Sequence, residues 1–115
     1  MQTKIYHNPR CSKSRQTLQL LRDKGIEPEI IEYLKTPPDR STLEALLDQL
    51  GMEPRELMRR NEKEYKELGL ADPALTRGQL IEAMLAHPRL IERPIVIANG
   101  KAAIGRPPEQ VLDIL

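Results

Sequence analysis

A strand–helix–strand pattern at the start of the chain constrains the fold more than any other feature of the sequence. Residues 3–7 have the composition of a short buried strand, and apolar positions recur at helical spacing from about Ser12 to Lys24, where Gly25 follows as a stop. Residues 29–33 form a second strand pattern. These three elements, within about 30 residues, indicate a βαβ unit with two parallel strands and a right-handed crossover. We therefore predict an α/β fold.

The middle of the chain, about residues 36–92, is predicted to be helical. Ser41 with Glu44 has the spacing of a capping box that opens a helix closed by Gly51, and Thr76 with Gln79 has the same spacing before a helix that ends ahead of His87-Pro88. Two shorter helices are expected between them, one opened by Pro54 and carrying residues 57–60, the other over residues 62–68.

After this segment the pattern returns to strands. Residues 94–98 and 101–104 flank Asn99-Gly100, the strongest two-residue hairpin signal in a sequence. A final amphipathic helix is expected from Arg106 onward, with Val111, Leu112 and Leu115 on its apolar face. The order is βαβ, then helices, then ββα, which we expect to fold as one domain over residues 1–115.

Composition excludes several functional classes. A net charge of +1 among 115 residues does not favour nucleic-acid binding, and the absence of Phe and Trp removes the aromatic platforms on which bases stack. No signal pattern and no apolar run approaching a membrane span of about 18 residues is present. One cysteine and two distant histidines match no metal-site spacing. We expect a cytoplasmic monomer without a bound cofactor, metal, membrane or nucleic acid.

The single cysteine, Cys11, is the principal candidate for chemistry. It stands at the predicted strand-to-helix turn, where unpaired backbone N–H groups and the positive end of a helix dipole favour an anion. His7, Arg10, Lys13 and Arg15 can add positive charge. All of these features favour the thiolate, which is the nucleophilic form of cysteine. An inert buried cysteine is the alternative, but this setting is too polar for it.

Several motifs along the chain carry a family resemblance. The segment His7-Asn8-Pro9-x-Cys11-x-x-Ser14-Arg15 resembles the active-site signature of the arsenate reductases that use glutathione and glutaredoxin. Three later arginine-bearing segments resemble that family as well: residues 57–61, residues 92–96 and Gly105-Arg106-Pro107. The resemblance covers essentially the whole chain and is strongest to a compact branch of the family. It implies a thioredoxin-like fold, with a mixed four-stranded sheet and a helical insert at about residues 36–92.

The resemblance also implies roles for particular residues. Cys11 is then the nucleophile, and Arg59, Arg93 and Arg106 bind the oxyanion through charge-assisted hydrogen bonds. Pro94 is the structural cis-proline that faces the cysteine. His7 lowers the pKa of the sulfur, through charge or a hydrogen bond.

Each of these roles has a plainer alternative. His7 could be only the polar end of a strand, and Ser14 could cap its own helix as well as donate to the thiolate. Arginines are usually solvated surface residues, and Arg60 could take the place of Arg59 if the helix register differs by one. The other histidine, His87, is interpreted as a cap at a helix end.

The function implied by the resemblance is reduction of arsenate, or of a similar oxyanion, with glutathione as co-substrate and glutaredoxin as partner. A chain with one cysteine cannot resolve its own disulfide, so the electrons must come from an external thiol. A monothiol glutathione-linked oxidoreductase is the main alternative, since Cys11 and Ser14 have Cys-x-x-Ser spacing. A regulator that binds RNA polymerase is a weaker one, because Ser14 stands where such a protein has its second cysteine.

Overall fold

The computed structural model describes residues 2–115, and the chain divides into two compact units. The first unit contains the chain up to Thr36 together with Arg93–Leu115, and the second is the continuous segment Pro37–Glu92. The bounds of the second unit lie within one residue of the segment that the sequence predicts to be helical. That the chain behaves as a single domain stays a prediction.

A four-stranded mixed sheet forms the centre of the first unit. Its strands are β1 (Lys4–Tyr6), β2 (Glu29–Ile31), β3 (Ile95–Ala98) and β4 (Lys101–Ile104). They lie in the order β2-β1-β3-β4, with β1 parallel to β2 and antiparallel to β3, and with β3 antiparallel to β4. This arrangement confirms the predicted α/β class and is the one that the thioredoxin-like resemblance implies.

The first two strands are shorter than the sequence pattern predicts. The backbone N–H of His7 still donates to the Ile31 carbonyl at 2.8 Å, one residue past the end of β1. Beyond Ile31 the chain turns, because the N–H groups of Lys35 and Thr36 both donate to the Glu32 carbonyl. Tyr33 is buried in this turn. Its apolar ring made the sequence resemble a strand up to residue 33, although the strand itself ends at Ile31.

Helix α1 (Ser12–Asp23) joins the two parallel strands and covers the core of the first unit. Its buried face carries Ser14, Thr17, Leu18 and Leu21, and Gly25 follows the helix in the left-handed region at φ 79°. The core itself combines side chains from α1, the sheet and the C-terminal segment: Ile5, Leu18, Leu21, Val96, Ala98, Val111 and Ile114.

The turn between β3 and β4 has the geometry that its sequence predicts. Asn99 and Gly100 have φ of 56° and 75°, and Ala98 pairs with Lys101 across them. Positive φ at both central positions is typical of the two-residue turn that matches the twist of a hairpin.

The C-terminal segment corrects the sequence prediction. Pro108–Ile114 is a 3₁₀ helix rather than an α-helix, and its buried residues are Pro108, Val111 and Ile114. A repeat of three places these side chains on one face of a 3₁₀ helix, whereas the predicted apolar residues Leu112 and Leu115 are exposed.

The second unit is helical. It contains α2 (Arg40–Leu50), α3 (Pro54–Leu57), α4 (Lys63–Glu67), α5 (Arg77–Ala86) and a 3₁₀ turn at Pro88–Leu90. Helices α2 and α5 pack together, and each contributes three buried side chains: Leu43, Leu46 and Leu47 from α2, and Leu80, Ile81 and Met84 from α5. None of the helices within residues 2–115 is both long enough and apolar enough to span a bilayer.

The helix starts confirm one predicted capping box and correct the other. At α5, Gln79 N–H donates to Thr76 Oγ1 at 3.2 Å, and Thr76 N–H donates to the Gln79 side chain at 2.8 Å, as predicted. At α2 the N-cap is Asp39 rather than Ser41, because the Asp39 carboxylate accepts the Thr42 N–H at 2.8 Å. Ser41 lies within the first turn.

Helix α3 ends earlier than predicted. Met58, Arg59 and Arg60 lie beyond its last residue, Leu57. Met58 instead has extended backbone and forms a single antiparallel bridge with Ile91, and Arg60 lies in the turn that follows. The choice between Arg59 and Arg60 is therefore not a matter of helix register.

The cap of α2 can be tested by comparing two variants. We expect Asp39→Ala to lower the urea midpoint of unfolding clearly, and Ser41→Ala, which removes only the exposed hydrogen bond from Ser41 Oγ to Asp39 Oδ1 at 3.2 Å, to lower it much less. Hydrogen bonds from the Thr42 side chain and backbone hold the pKa of Asp39 below its ordinary value. Because a lowered carboxyl pKa stabilises the fold at neutral pH and this contribution is lost in acid, the difference between wild type and Asp39→Ala should shrink as the pH falls through that pKa. Equal midpoints for the two variants at neutral pH would contradict the assignment.

Candidate active site

Cys11 lies between β1 and α1 and is the N-cap residue of α1. Its backbone is extended, at φ −93° and ψ 123°, and its N–H donates to the Asn8 carbonyl at 3.0 Å. The residue is partly exposed. An N-cap side chain stands beside the unpaired N–H groups of the first helical turn, so this position suits an anionic sulfur.

The pKa of the Cys11 thiol lies below its ordinary value. Burial acts in the opposite direction and raises the pKa, but it is outweighed by groups that favour the thiolate: hydrogen bonds from the backbone of Ser14 and Lys13, and both a hydrogen bond and the charge of Arg93. The predicted thiolate environment is therefore present, and its largest favourable contribution is backbone of the first turn of α1.

Arg106 links the sulfur to the opposite segment of the first unit. Its Nη2 donates to Cys11 Sγ at 3.5 Å, while its Nε donates to the Arg93 carbonyl at 2.8 Å. The planar guanidinium of Arg106 thus binds the segment before β3 through Nε and contacts the sulfur through Nη2. Arg93 and Arg106, 13 residues apart in sequence, both act on Cys11.

Pro94 and Gly105 bring those two arginines to the same place. The Arg93–Pro94 peptide bond is cis, the isomer that the resemblance implies, and Gly105 N–H donates to the Pro94 carbonyl at 3.0 Å. A Cβ atom on Gly105 would lie 2.4 Å from Thr17 Oγ1 and 2.8 Å from Pro94 Cγ. Only a residue without a side chain fits between α1 and Pro94 here. Gly105 belongs to a motif that resembles the family, but nothing local in the sequence indicates this close approach.

His7 and Ser14 form a buried pair beneath the loop. Ser14 Oγ hydrogen-bonds with His7 Nδ1 at 2.6 Å and accepts the Asn8 N–H at 3.0 Å. Burial is the main cause that lowers the pKa of His7, so the ring is predominantly neutral at neutral pH. His7 therefore reaches the loop by hydrogen bonding through Ser14. The Ser14 hydroxyl contacts His7 and Asn8, while the Ser14 backbone lowers the pKa of Cys11, and the predicted catalytic roles of the two side chains stay predictions.

The loop around Cys11 is further fixed by its own polar groups. Asn8 Oδ1 accepts the Arg10 N–H at 3.0 Å, and Arg15 Nη1 donates to the Pro9 carbonyl at 2.9 Å. These bonds close the turn from both sides, so the position of the sulfur is set by backbone geometry. The sequence predicts Arg10 and Arg15 only as sources of positive charge and contains Asn8 only as part of the motif, so these hydrogen bonds have no signal in it.

Arg59 belongs to the second unit, where carboxylates surround it. Its Nη1 lies 2.8 Å from Glu92 Oε1, and its Nε lies 3.6 Å from Glu62 Oε1. Its backbone N–H donates to the Leu90 carbonyl at 2.7 Å. Arg60, by contrast, is exposed. The structure thus describes Arg59 as a fixed, partly buried guanidinium and leaves its predicted role in oxyanion binding a prediction.

The remaining candidate is His87, which is the C-cap residue of α5, where the sequence placed it. Within residues 2–115, no group of three or more His, Cys, Asp and Glu side chains is arranged to hold a metal ion. The chemistry available to the described residues is that of one activated sulfur with two guanidinium groups beside it.

The contribution of Arg93 to the sulfur can be measured. We expect Arg93→Met to raise the pKa of Cys11, because removal of a nearby positive charge and of a hydrogen-bond donor favours the neutral thiol. Alkylation by iodoacetamide as a function of pH measures this pKa, since only the thiolate reacts. The midpoint of the rate–pH curve should lie at a higher pH in the variant than in the wild type. Lys24→Met, at the far end of α1, is the control. An unchanged midpoint in Arg93→Met would contradict the arrangement.

Comparison with known proteins agrees with this geometry. Residues 6–114 match the model of the ArsC family. The chain is 64% identical over 115 residues to the uncharacterized protein YfgD of Escherichia coli K12, covering 99% of this chain and 97% of that protein. It is 52% identical over 113 residues to an arsenate reductase of Neisseria meningitidis, with 97% of each covered. A solved arsenate reductase from Vibrio cholerae superposes with a TM-score of 0.97 at 56% identity, covering 100% of this chain and 98% of that one. The chain belongs to the ArsC family.

Proposed function

We propose that this chain reduces arsenate to arsenite through the Cys11 thiolate, with glutathione and glutaredoxin as the source of electrons. The observation that carries the proposal is the placement of Arg106 Nη2 at 3.5 Å from Cys11 Sγ, beside a sulfur whose pKa Arg93 also lowers. A nucleophile flanked by two guanidinium groups is suited to attack the central atom of a bound oxyanion. The names of the Neisseria and Vibrio relatives support arsenate as that oxyanion.

The first step is attack of the thiolate on arsenic. Arg93 and Arg106 hold arsenate oxygens through charge-assisted hydrogen bonds and stabilise the negative charge that develops on them. An S–As bond forms, and one oxygen leaves as water after it has gained protons. Because the fork of Arg106 is already fixed by the Arg93 carbonyl, little side-chain freedom is lost when the oxyanion binds.

The second step transfers two electrons. A glutathione thiolate attacks the Cys11 sulfur, the S–As bond breaks, and its electron pair stays on arsenic, which passes from the pentavalent to the trivalent state. Arsenite leaves, and Cys11 is left in a mixed disulfide with glutathione. Glutaredoxin then returns Cys11 to the thiol by exchange. The external thiol is required because this is the only cysteine in the sequence. Since low-molecular thiols are kept reduced in the cytoplasm, we place the reaction there.

A monothiol oxidoreductase acting on protein mixed disulfides is the second candidate. Cys11 and Ser14 have the spacing that such a protein uses, and its chemistry needs the same thiolate. Two arginines at the sulfur would stabilise that thiolate as well, but their paired guanidinium groups also match the several oxygens of an oxyanion, which a protein disulfide lacks. The arginine pair is the reason that oxyanion reduction is proposed first.

The proposal predicts that Cys11→Ser abolishes arsenate reduction in an assay that contains glutathione and glutaredoxin. The measurement is arsenite produced per enzyme, and Ser12→Ala, an exposed neighbour in the same turn, is the control expected to remain active. Omission of glutaredoxin should stop turnover after about one equivalent. If the wild-type protein makes no arsenite but reduces a glutathionylated protein, the monothiol candidate replaces this proposal.

A separate experiment tests whether Arg59 or Arg60 binds the oxyanion. We expect Arg59→Lys to raise the KM for arsenate about tenfold or more, since one hydrogen bond to a charged group contributes about 1.5–3 kcal/mol and lysine lacks the planar fork. Arg60→Lys should leave KM unchanged. Thermal unfolding of both variants separates a binding effect from disruption of the ion pairs with Glu62 and Glu92. The reverse result would assign the role to Arg60.

A further inference from the structure

We propose that Arg10 and Lys13 form a docking site for the carboxylates of the small thiol that regenerates Cys11. This inference rests on the proposed function in one respect, the need for an external thiol. It adds the residues that receive that thiol and the chemical class that they select, a low-molecular thiol with carboxylate groups such as glutathione.

The two cations stand on either side of the sulfur in the chain. Arg10 directly precedes Cys11, and Lys13 lies in the first turn of α1, where its backbone N–H acts on the thiolate. The Arg10 backbone is held by Asn8 Oδ1 at 3.0 Å, so the position from which its guanidinium extends is fixed. Both residues are exposed, so their charges are accessible to a molecule in solvent near this loop.

The other cations near the sulfur have partners that account for them. Arg15 donates to the Pro9 carbonyl, and Arg106 is divided between the Arg93 carbonyl and the sulfur. Within residues 2–115, by contrast, the side chains of Arg10 and Lys13 form no ion pair and no hydrogen bond. These two exposed charges serve neither the loop structure nor the sulfur contacts, and they remain available to a ligand.

The net charge of the first unit favours binding of an anionic ligand. Residues 7–15 contain three arginine and lysine residues and no acidic residue. The whole unit has ten lysines and arginines against six aspartates and glutamates, a net of +4, while the second unit has eight against eleven, a net of −3. A positive potential around the sulfur raises the local concentration of anionic thiols and the rate at which they arrive.

The reaction can be examined without arsenate by thiol–disulfide exchange at Cys11. Treatment with 2,2′-dithiodipyridine converts Cys11 to a pyridyl disulfide. A glutathione thiolate then attacks the Cys11 sulfur, the bond to the pyridyl sulfur breaks, and pyridine-2-thione leaves with the electron pair. The product is the Cys11–glutathione disulfide, which mass spectrometry identifies. Glutathione carries two carboxylates and one ammonium group, whereas 2-mercaptoethanol has no charged group besides its thiolate and undergoes the same exchange.

The test compares the two thiols on the wild-type protein and on the double variant Arg10→Gln/Lys13→Gln. We expect the rate with glutathione to fall about three- to tenfold, because each exposed ion pair contributes modestly, and the rate with 2-mercaptoethanol to stay within about twofold. Any general change in the reactivity of the Cys11 disulfide would alter both rates alike, so the ratio of the rates reports docking. The wild-type preference for glutathione should also weaken as ionic strength rises.

A second double variant controls for total charge. Lys24→Gln/Lys101→Gln removes the same two charges, but Lys24 follows the end of α1 and Lys101 begins β4 beside the hairpin turn, both away from the Cys11 end of the sheet. This variant should keep the wild-type ratio. An equal fall with both thiols, no fall with glutathione, or the same fall in this control would overturn the docking site.

The outcome is distinguishable from failure of the proposed function. A protein that makes no arsenite but shows the glutathione preference contradicts arsenate reduction and leaves the docking site intact. A protein that makes arsenite but shows no preference for glutathione supports arsenate reduction and contradicts the docking site.

Discussion

The convergence of hydrogen-bond donors on one sulfur is the constraint on which the candidate site depends. Burial alone raises the pKa of Cys11, so the thiolate is favoured only because donors surround it. They come from two places far apart in sequence: backbone N–H groups at the start of α1, and the side chains of Arg93 and Arg106 beside β3 and β4. The mixed sheet brings these places together, because β3 runs antiparallel to β1 and begins at the edge where β1 ends.

The elements predicted correctly are those whose signals are local. The parallel βαβ unit, the Asn99-Gly100 turn and the Thr76–Gln79 box follow from residue spacing and from the conformations that particular residues prefer. The C-terminal helix was predicted wrongly, since Val111 fits both a 3.6-residue and a three-residue repeat, and only packing against the sheet selects the 3₁₀ form. The sequence did not distinguish Asp39 from Ser41 as the N-cap of α2, because either side chain can accept a hydrogen bond from a first-turn N–H. In the structure Asp39 accepts it.

The candidate site was predicted from sequence only in part, for a similar reason. A cysteine at a strand-to-helix turn implies a thiolate from local physics, and the structure has donors there. Which of 18 lysines and arginines act with it depends on long-range contacts, and only the resemblance to a family singled out Arg93 and Arg106. The partnership of His7 with Ser14 has no local signal, because it joins a strand end to a helix face seven residues later.

The glycine at position 105 gives the site a property that no reactive group supplies. Thr17 of α1 and the ring of Pro94 leave less room beside its backbone than a single methyl group needs. Arg106 directly follows Gly105, so this close approach fixes the backbone position from which the Arg106 side chain extends to the sulfur. The geometry of an anion site is thus set by an excluded volume. A residue with no side chain thus determines how the Arg106 guanidinium is aligned with the Cys11 sulfur.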